Sequence, residues 1–151
     1  MTQRSLALLA AAGSAALLLG ALGFQYIGGL APCHLCYLQR YPHAAAIVIG
    51  GLAAVLGTRI LGWLGAAAVL TSAGIGIYHT GVERGWWEGP TTCTSGNAAV
   101  LTPDELFEQI MNAPLIRCDE VAWSMLGLSM ASWNAVISVG LALTWIRAAR
   151  R

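Results

Sequence analysis

The chain has no lysine, and charge of either sign is scarce: eight arginines and seven acids make up 10% of 151 residues, where a soluble domain carries about 25%. An ordinary soluble domain is excluded on that ground. The scarcity is also uneven, because no charged residue lies between Arg4 and Arg40, or between Arg40 and Arg59. Histidine does not follow the close cysteine pair; Tyr37 stands after Cys36, which excludes a haem attachment sequence.

What fills the uncharged intervals is apolar, 57% of the chain being hydrophobic. Four stretches result: one after Arg4, then Tyr41 to Thr58, Ile60 to Val82, and Val121 to Ile146. Each is long enough, or nearly so, to cross about 30 Å of hydrocarbon at 1.5 Å per residue. The expected fold is an all-α membrane protein, a four-transmembrane-helix bundle forming a single domain over 1–151, with spans at about 5–27, 41–58, 60–81 and 122–146. Arg4 before an apolar run is also how a signal peptide begins, but without a convincing cleavage site the stretch reads as a retained first helix. Gly28 and Gly29 should end it near Tyr26.

The connections differ in length and content. Residues 28–40 form a short loop that delivers Cys33 and Cys36, whereas Thr58, Arg59 and Ile60 barely join the second and third spans, which must be antiparallel neighbours. Glycines and alanines along both spans allow close backbone approach. Residues 82–121 form the long loop, which holds every acid of the chain together with Cys93 and Cys118. Within it Thr102, Pro103, Asp104 and Glu105 read as a capped start to a short amphipathic helix, and Trp86 and Trp87 as interfacial anchors.

Orientation follows from the arginines. Arg4, Arg59, Arg147, Arg150 and Arg151 fall on one side with no acid among them, and the positive-inside rule puts that side and both termini in the cytoplasm. All four cysteines then face outward, where disulfides persist.

Two cysteines one helical turn apart point to redox chemistry, since a fold-stapling pair usually closes a longer loop. If helical, Cys33, Cys36 and Arg40 share a face, and the arginine favours the reactive thiolate. Pro42 leaves two options: the regular helix begins near Gln39, with Cys36 just before it, or the helix starts earlier and contains the proline. His79, near the end of the third span on the cysteine side, is a functional candidate as an ionisable residue at that depth. His43 reads as an interfacial polar residue.

Three separated motifs, CHLCYLQR, YHTGVERGWWEGPTTC and PLIRCDEVAWSMLGLSMASWN, together resemble the bacterial disulfide bond formation protein B (DsbB) family, in the same order and across the whole chain. The resemblance implies an inner-membrane protein thiol:quinone oxidoreductase that reoxidises a periplasmic DsbA-like dithiol oxidase and passes the electrons to ubiquinone or menaquinone. It implies that Cys33 and Cys36 are the membrane-proximal catalytic pair and Cys93 and Cys118 the second-loop catalytic pair. Arg40 corresponds to the quinone-associated arginine, and His79 to a histidine near that site. The expected partners are the dithiol oxidase, quinone and the lipid bilayer, with no metal and no nucleic acid. Electrons are expected to run from the partner to Cys93 and Cys118, then to Cys33 and Cys36, then to quinone.

Competing readings are weaker on the residues. In a four-cysteine zinc site both pairs would be closely spaced, and here 24 residues separate Cys93 from Cys118. A quinone-linked reductase of the vitamin K epoxide type usually carries its close pair late in the bundle. A non-catalytic four-helix scaffold with a stapled loop leaves Cys33 and Cys36 idle.

Overall fold

Cysteine, glycine and serine set the helix boundaries of this protein. A computed structural model describes residues 2–90 and 117–151, so Cys93 and the expected amphipathic helix at 102–111 lie outside the described residues. Helix α1 runs Gln3–Tyr26, capped by Thr2, whose side chain accepts from the Ser5 N–H at 3.2 Å. It ends at the expected residue, where Gly28 N–H bonds to Gly23 O at 3.0 Å and Gly29 follows with φ +67°. Helix α2 spans His34–Leu56 and stops at Gly57, whose left-handed φ of 64° only glycine adopts freely. Thr58 alone then separates that cap from α3, Arg59–Glu83.

The fourth apolar stretch does not begin as a helix. Ser124–Met125 (β1) pairs antiparallel with Leu128–Ser129 (β2), and the two turn residues Leu126 and Gly127 have φ of 54° and 77°. Two positive φ angles in a two-residue loop make the hairpin turn whose twist matches its strands. Helix α4 therefore runs only Met130–Arg150, with Ser129 as its cap, accepting from Ser132 N–H at 3.2 Å. Hydrophobicity marks the stretch but carries no information about that turn. This corrects the reading of 122–129 as the start of the fourth span.

The four helices close into a bundle in which α1 contacts α2 and α4, α3 contacts α2 and α4, and α1 scarcely touches α3. The core is built of small residues around one large ring: Ala7, Ala10, Ala46, Ala53 and Ala66 surround the fully buried Trp145. Close approach is enforced where α3 crosses α4, since a Cβ on Gly62 would lie 2.8 Å from Ala149 Cα. Large apolar side chains point outward instead, among them Leu19, Val48, Val55 and Ile60. Among the described residues two helices, α1 and α3, are long and apolar enough to cross a membrane, with mean hydropathy of 2.1 and 1.8. Helix α2 is diluted by Gln39, Arg40, Pro42 and His43 at its start. The outcome for the proline is clear: Pro42 sits inside α2, and Cys36 lies in the helix's first turn.

Candidate functional site at the cysteine end of the bundle

Cys33 is the N-cap of α2, and its sulfur accepts the Cys36 N–H at 3.3 Å. A cap residue holds its side chain over the first turn, so capping brings Cys33 Sγ to 3.0 Å from Cys36 Sγ. The two sulfurs are not bonded. Behind them α3 presents His79, whose Nε2 is 3.6 Å from Cys33 Sγ and 3.9 Å from Glu83 Oε1. Cys118, 2% exposed, is buried in the same cluster with Leu35 and Val82. Three of the four candidate cysteines thus converge at one end of the bundle, Cys93 being outside the described residues.

Arg40 is one helical turn beyond Cys36 and turns toward α1. Its Nη1 donates to Gln25 Oε1 at 2.6 Å, its Nη2 to Ala21 O at 3.4 Å, and its guanidinium lies 5.1 Å from the Tyr37 ring centroid. Cys36 and Arg40 both line a cavity of about 440 Å³ between α1, α2 and α4. Its walls are mostly apolar, including Leu17, Leu18, Phe24, Trp133 and Ile137, and Trp123 packs on Phe24 with ring centroids 5.0 Å apart. His79 is not among the lining residues. It meets Cys33 through Nε2 and, at 3.0 Å through Nδ1, Gln39, which does line the cavity.

Several polar residues given no part in the site by the sequence belong to this end of the molecule. Gln39, His43 and Asn134 line the cavity and hydrogen-bond to one another: Asn134 Nδ2 donates to Gln39 Oε1 at 2.8 Å, and His43 Nε2 is 3.0 Å from Asn134 Oδ1. His43 is 2% exposed, so it is a core residue and not an interfacial one. The available signal was a polar amide inside an apolar stretch, which has to find a partner within the bundle. Glu83 is one of the acids that the sequence assigns to the long loop. Its carboxylate is buried and accepts a hydrogen bond from Ser129 Oγ, tying the end of α3 to the cap of α4.

The segment carrying Cys118 is held by charge at the surface. Arg117 forks onto Asp119 at 2.9 and 2.5 Å, and those hydrogen bonds hold the Asp119 carboxyl below the usual carboxylate range.

Fold and site together define a class: a helical membrane protein with a close dithiol at one end of its bundle. Comparison with known proteins identifies which. The family model described as "Disulfide bond formation protein DsbB" matches residues 3–148. Similar proteins named "Disulfide bond formation protein B" include one from Methylococcus capsulatus, 34% identical over 90% of this chain and 90% of its own length. Another, from Albidiferax ferrireducens, is 31% identical over 84% of this chain and 79% of its own. The chain belongs to the DsbB family, and its role is oxidoreduction in disulfide bond formation. No solved structure matches it.

Proposed function

We propose that this protein is a thiol:quinone oxidoreductase: it reoxidises a DsbA-like periplasmic dithiol oxidase by disulfide exchange and passes the electrons to membrane quinone. One observation carries the reading. Cys36, half of the close pair, opens onto an apolar cavity beside a fixed cation, Arg40, while Cys118 packs against the same pair from the polar side. A lipid-soluble acceptor and a protein thiol can then both reach one dithiol without meeting each other.

The cavity suits a quinone. Its volume of about 440 Å³ is within the range of small-molecule sites, its walls accept an apolar ring and tail, and Arg40 offers N–H donors to a ring oxygen. When bound, a quinone supplies a two-electron, two-proton sink. The chain's own residues do the rest. Cys93 and Cys118 receive the partner's electrons, Cys118 exchanges with Cys33, and the Cys33–Cys36 disulfide is regenerated beside the cavity. Arg40 favours negative charge at Cys36 and at the acceptor. His79 acts on Cys33 and not on the acceptor.

The same reading carries the membrane arrangement. One integral domain spans a bacterial inner membrane four times, α2 and α4 serving as spans together with α1 and α3. Both termini are cytoplasmic, and loops 28–40 and 82–121 are periplasmic. Their arginine distribution and the outward apolar side chains support it.

Quinone reduction by the purified protein, followed in detergent after adding a reduced DsbA-like oxidase, tests the function. Turnover that needs both the oxidase and Cys36 supports it; no quinol with either quinone class refutes it.

A further inference from the structure

The buried polar side chains of α2, α3 and α4 form, with Ser14 of α1, one hydrogen-bonded chain that starts at the cysteine pair and passes through Gln39, Asn134 and His43 of the cavity wall. It runs from Cys33 Sγ to His79, then to Gln39, Asn134, His43 and Ser14, every distance between 2.8 and 3.6 Å. A neutral histidine donates from one ring nitrogen and accepts at the other, so its neighbours decide which nitrogen carries the proton.

Two backbone carbonyls, which can only accept, fix the amides. Leu35 O takes a hydrogen from Gln39 Nε2 at 3.1 Å, and Ser72 O faces Asn134 Nδ2 at 3.4 Å. Gln39 Nε2 therefore points its second hydrogen at His79 Nδ1, 3.0 Å away. That nitrogen must accept, and the ring proton is left on Nε2. Gln39 cannot turn over, because Asn134 Nδ2 donates to its Oε1 at 2.8 Å. Glu83 adds an independent argument: its Oε1 lies 3.9 Å from the same Nε2 and favours a proton there.

We propose that Gln39, held by Asn134, is a positioning residue that keeps His79 in its Nε2–H tautomer and aims that N–H at the sulfur of Cys33. Cys33 Sγ then receives two N–H donors, from His79 and from the Cys36 backbone, at the positive end of α2. Both act for the Cys33 thiolate, against the hydrogen bond to Cys36 and burial, which push the Cys33 thiol up to about 12. In exchange with Cys118 one S–S bond forms as another breaks, the displaced sulfur leaves with the electron pair, and no net oxidation occurs. A stabilised Cys33 thiolate speeds that exchange as attacker or as leaving group. The charged and titratable groups around Cys33 are Cys36 and Arg40 from α2, His79 and Glu83 from α3, and Cys118 from the segment before the hairpin. Substituting Gln39 leaves all of them in place.

The inference rests on Cys33 and Cys36 being the redox pair, but its first readout does not. Nitrogen NMR of the reduced, histidine-labelled protein in detergent reports the tautomer directly, His79 being identified by the signal lost in His79→Gln. The expected wild-type result is Nε2–H, whether or not the protein reduces quinone. An Nδ1–H ring in the wild type overturns the proposal. The second readout is the pH profile of Cys33 alkylation, resolved by mass spectrometry. Gln39→Leu should slow Cys33 labelling roughly tenfold at every pH below its midpoint, the effect of moving that midpoint upward by about one pH unit. A profile superimposed on wild type, from a variant with unchanged helicity and melting temperature, also overturns it. If Gln39→Leu does not fold, the wild-type NMR result alone decides.

Discussion

Arg40 is tied across the bundle to Gln25, its Nη1 donating to Oε1 at 2.6 Å while the guanidinium edges the cavity that Cys36 also lines. The charge is thereby held at the wall and does not swing out toward headgroups, as an arginine at a helix end otherwise does. Arg40→Ala should lower quinone reduction at least tenfold, an order of magnitude expected from losing a preorganised charge. Exchange of the partner with Cys93 and Cys118 should proceed nearly as before. Gln25→Ala should give a smaller loss in the same step, because it frees the guanidinium without removing it. Stopped-flow measurement of the two half-reactions checks both, and an Arg40→Ala variant with unchanged quinone kinetics would reduce the arginine to an anchor.

From α4, the single amide of Asn134 holds three residues of two other helices at once: Gln39 and His43 of α2 and Ser72 of α3. Asn134→Leu strands the Gln39 side-chain oxygen inside the bundle, while His43 Nε2 keeps Ser138 Oγ at 3.2 Å. Each unsatisfied buried group costs about 1–3 kcal/mol, so the melting temperature in detergent should fall by several degrees or more. Thr71→Ala is the control, since that exposed hydroxyl bonds only to Ala67 O of its own helix at 2.9 Å. A melting temperature for Asn134→Leu equal to that of Thr71→Ala would show that the network adds no stability.

The parts of this protein that were legible in its sequence are those written by charge and periodicity. Tyr26 as the end of α1 followed from Gly28 and Gly29, and the tight α2 to α3 join from Thr58, Arg59 and Ile60, although Arg59 and Ile60 already belong to α3. The resemblance to the DsbB family, read from three motifs, was borne out across residues 3–148. Less was legible where the outcome depends on which neighbours surround a residue. Pro42 left the start of α2 open because a proline tolerates both a first turn and, at the loss of the hydrogen bond to Leu38 O, an interior position. The hairpin before α4 was missed because Leu126 and Gly127 interrupt an apolar run without adding charge. Gln39, Asn134 and Glu83 were missed for a different reason: a buried polar residue declares itself only through partners far away in the chain, and Asn134 meets Gln39 across 95 positions.

Membrane orientation has its own test. Glu88 follows α3 and Thr58 precedes it, both exposed, and the proposed topology has them on opposite faces of the membrane. In a background lacking the native cysteines, Glu88→Cys should react with a membrane-impermeant maleimide in spheroplasts. Thr58→Cys should react only after the membrane is opened. Labelling in the reverse order would invert the topology and put the cysteine end of the bundle in the cytoplasm, where a periplasmic oxidase has no access.

The proposed order of electron flow rests on where each sulfur stands relative to water and lipid. Cys36 opens onto the apolar cavity, Cys33 sits beneath it against His79, and Cys118 packs on the pair from the segment that follows the polar loop. An acceptor in the cavity therefore meets Cys36 first, and a protein thiol arriving from the loop side meets the pair through Cys118. A Cys36→Ser variant should still take up the partner in a mixed disulfide and make no quinol. Cys93→Ser should lose exchange with the partner yet keep a Cys33–Cys36 pair that quinone reoxidises after chemical reduction. With the partner's resolving cysteine removed, the trapped covalent complex should run through Cys93. A complex trapped through Cys33 or Cys36, with full turnover in a Cys93→Ser, Cys118→Ser double variant, would leave the outer pair a structural staple and make the partner's direct access to Cys33 the working route.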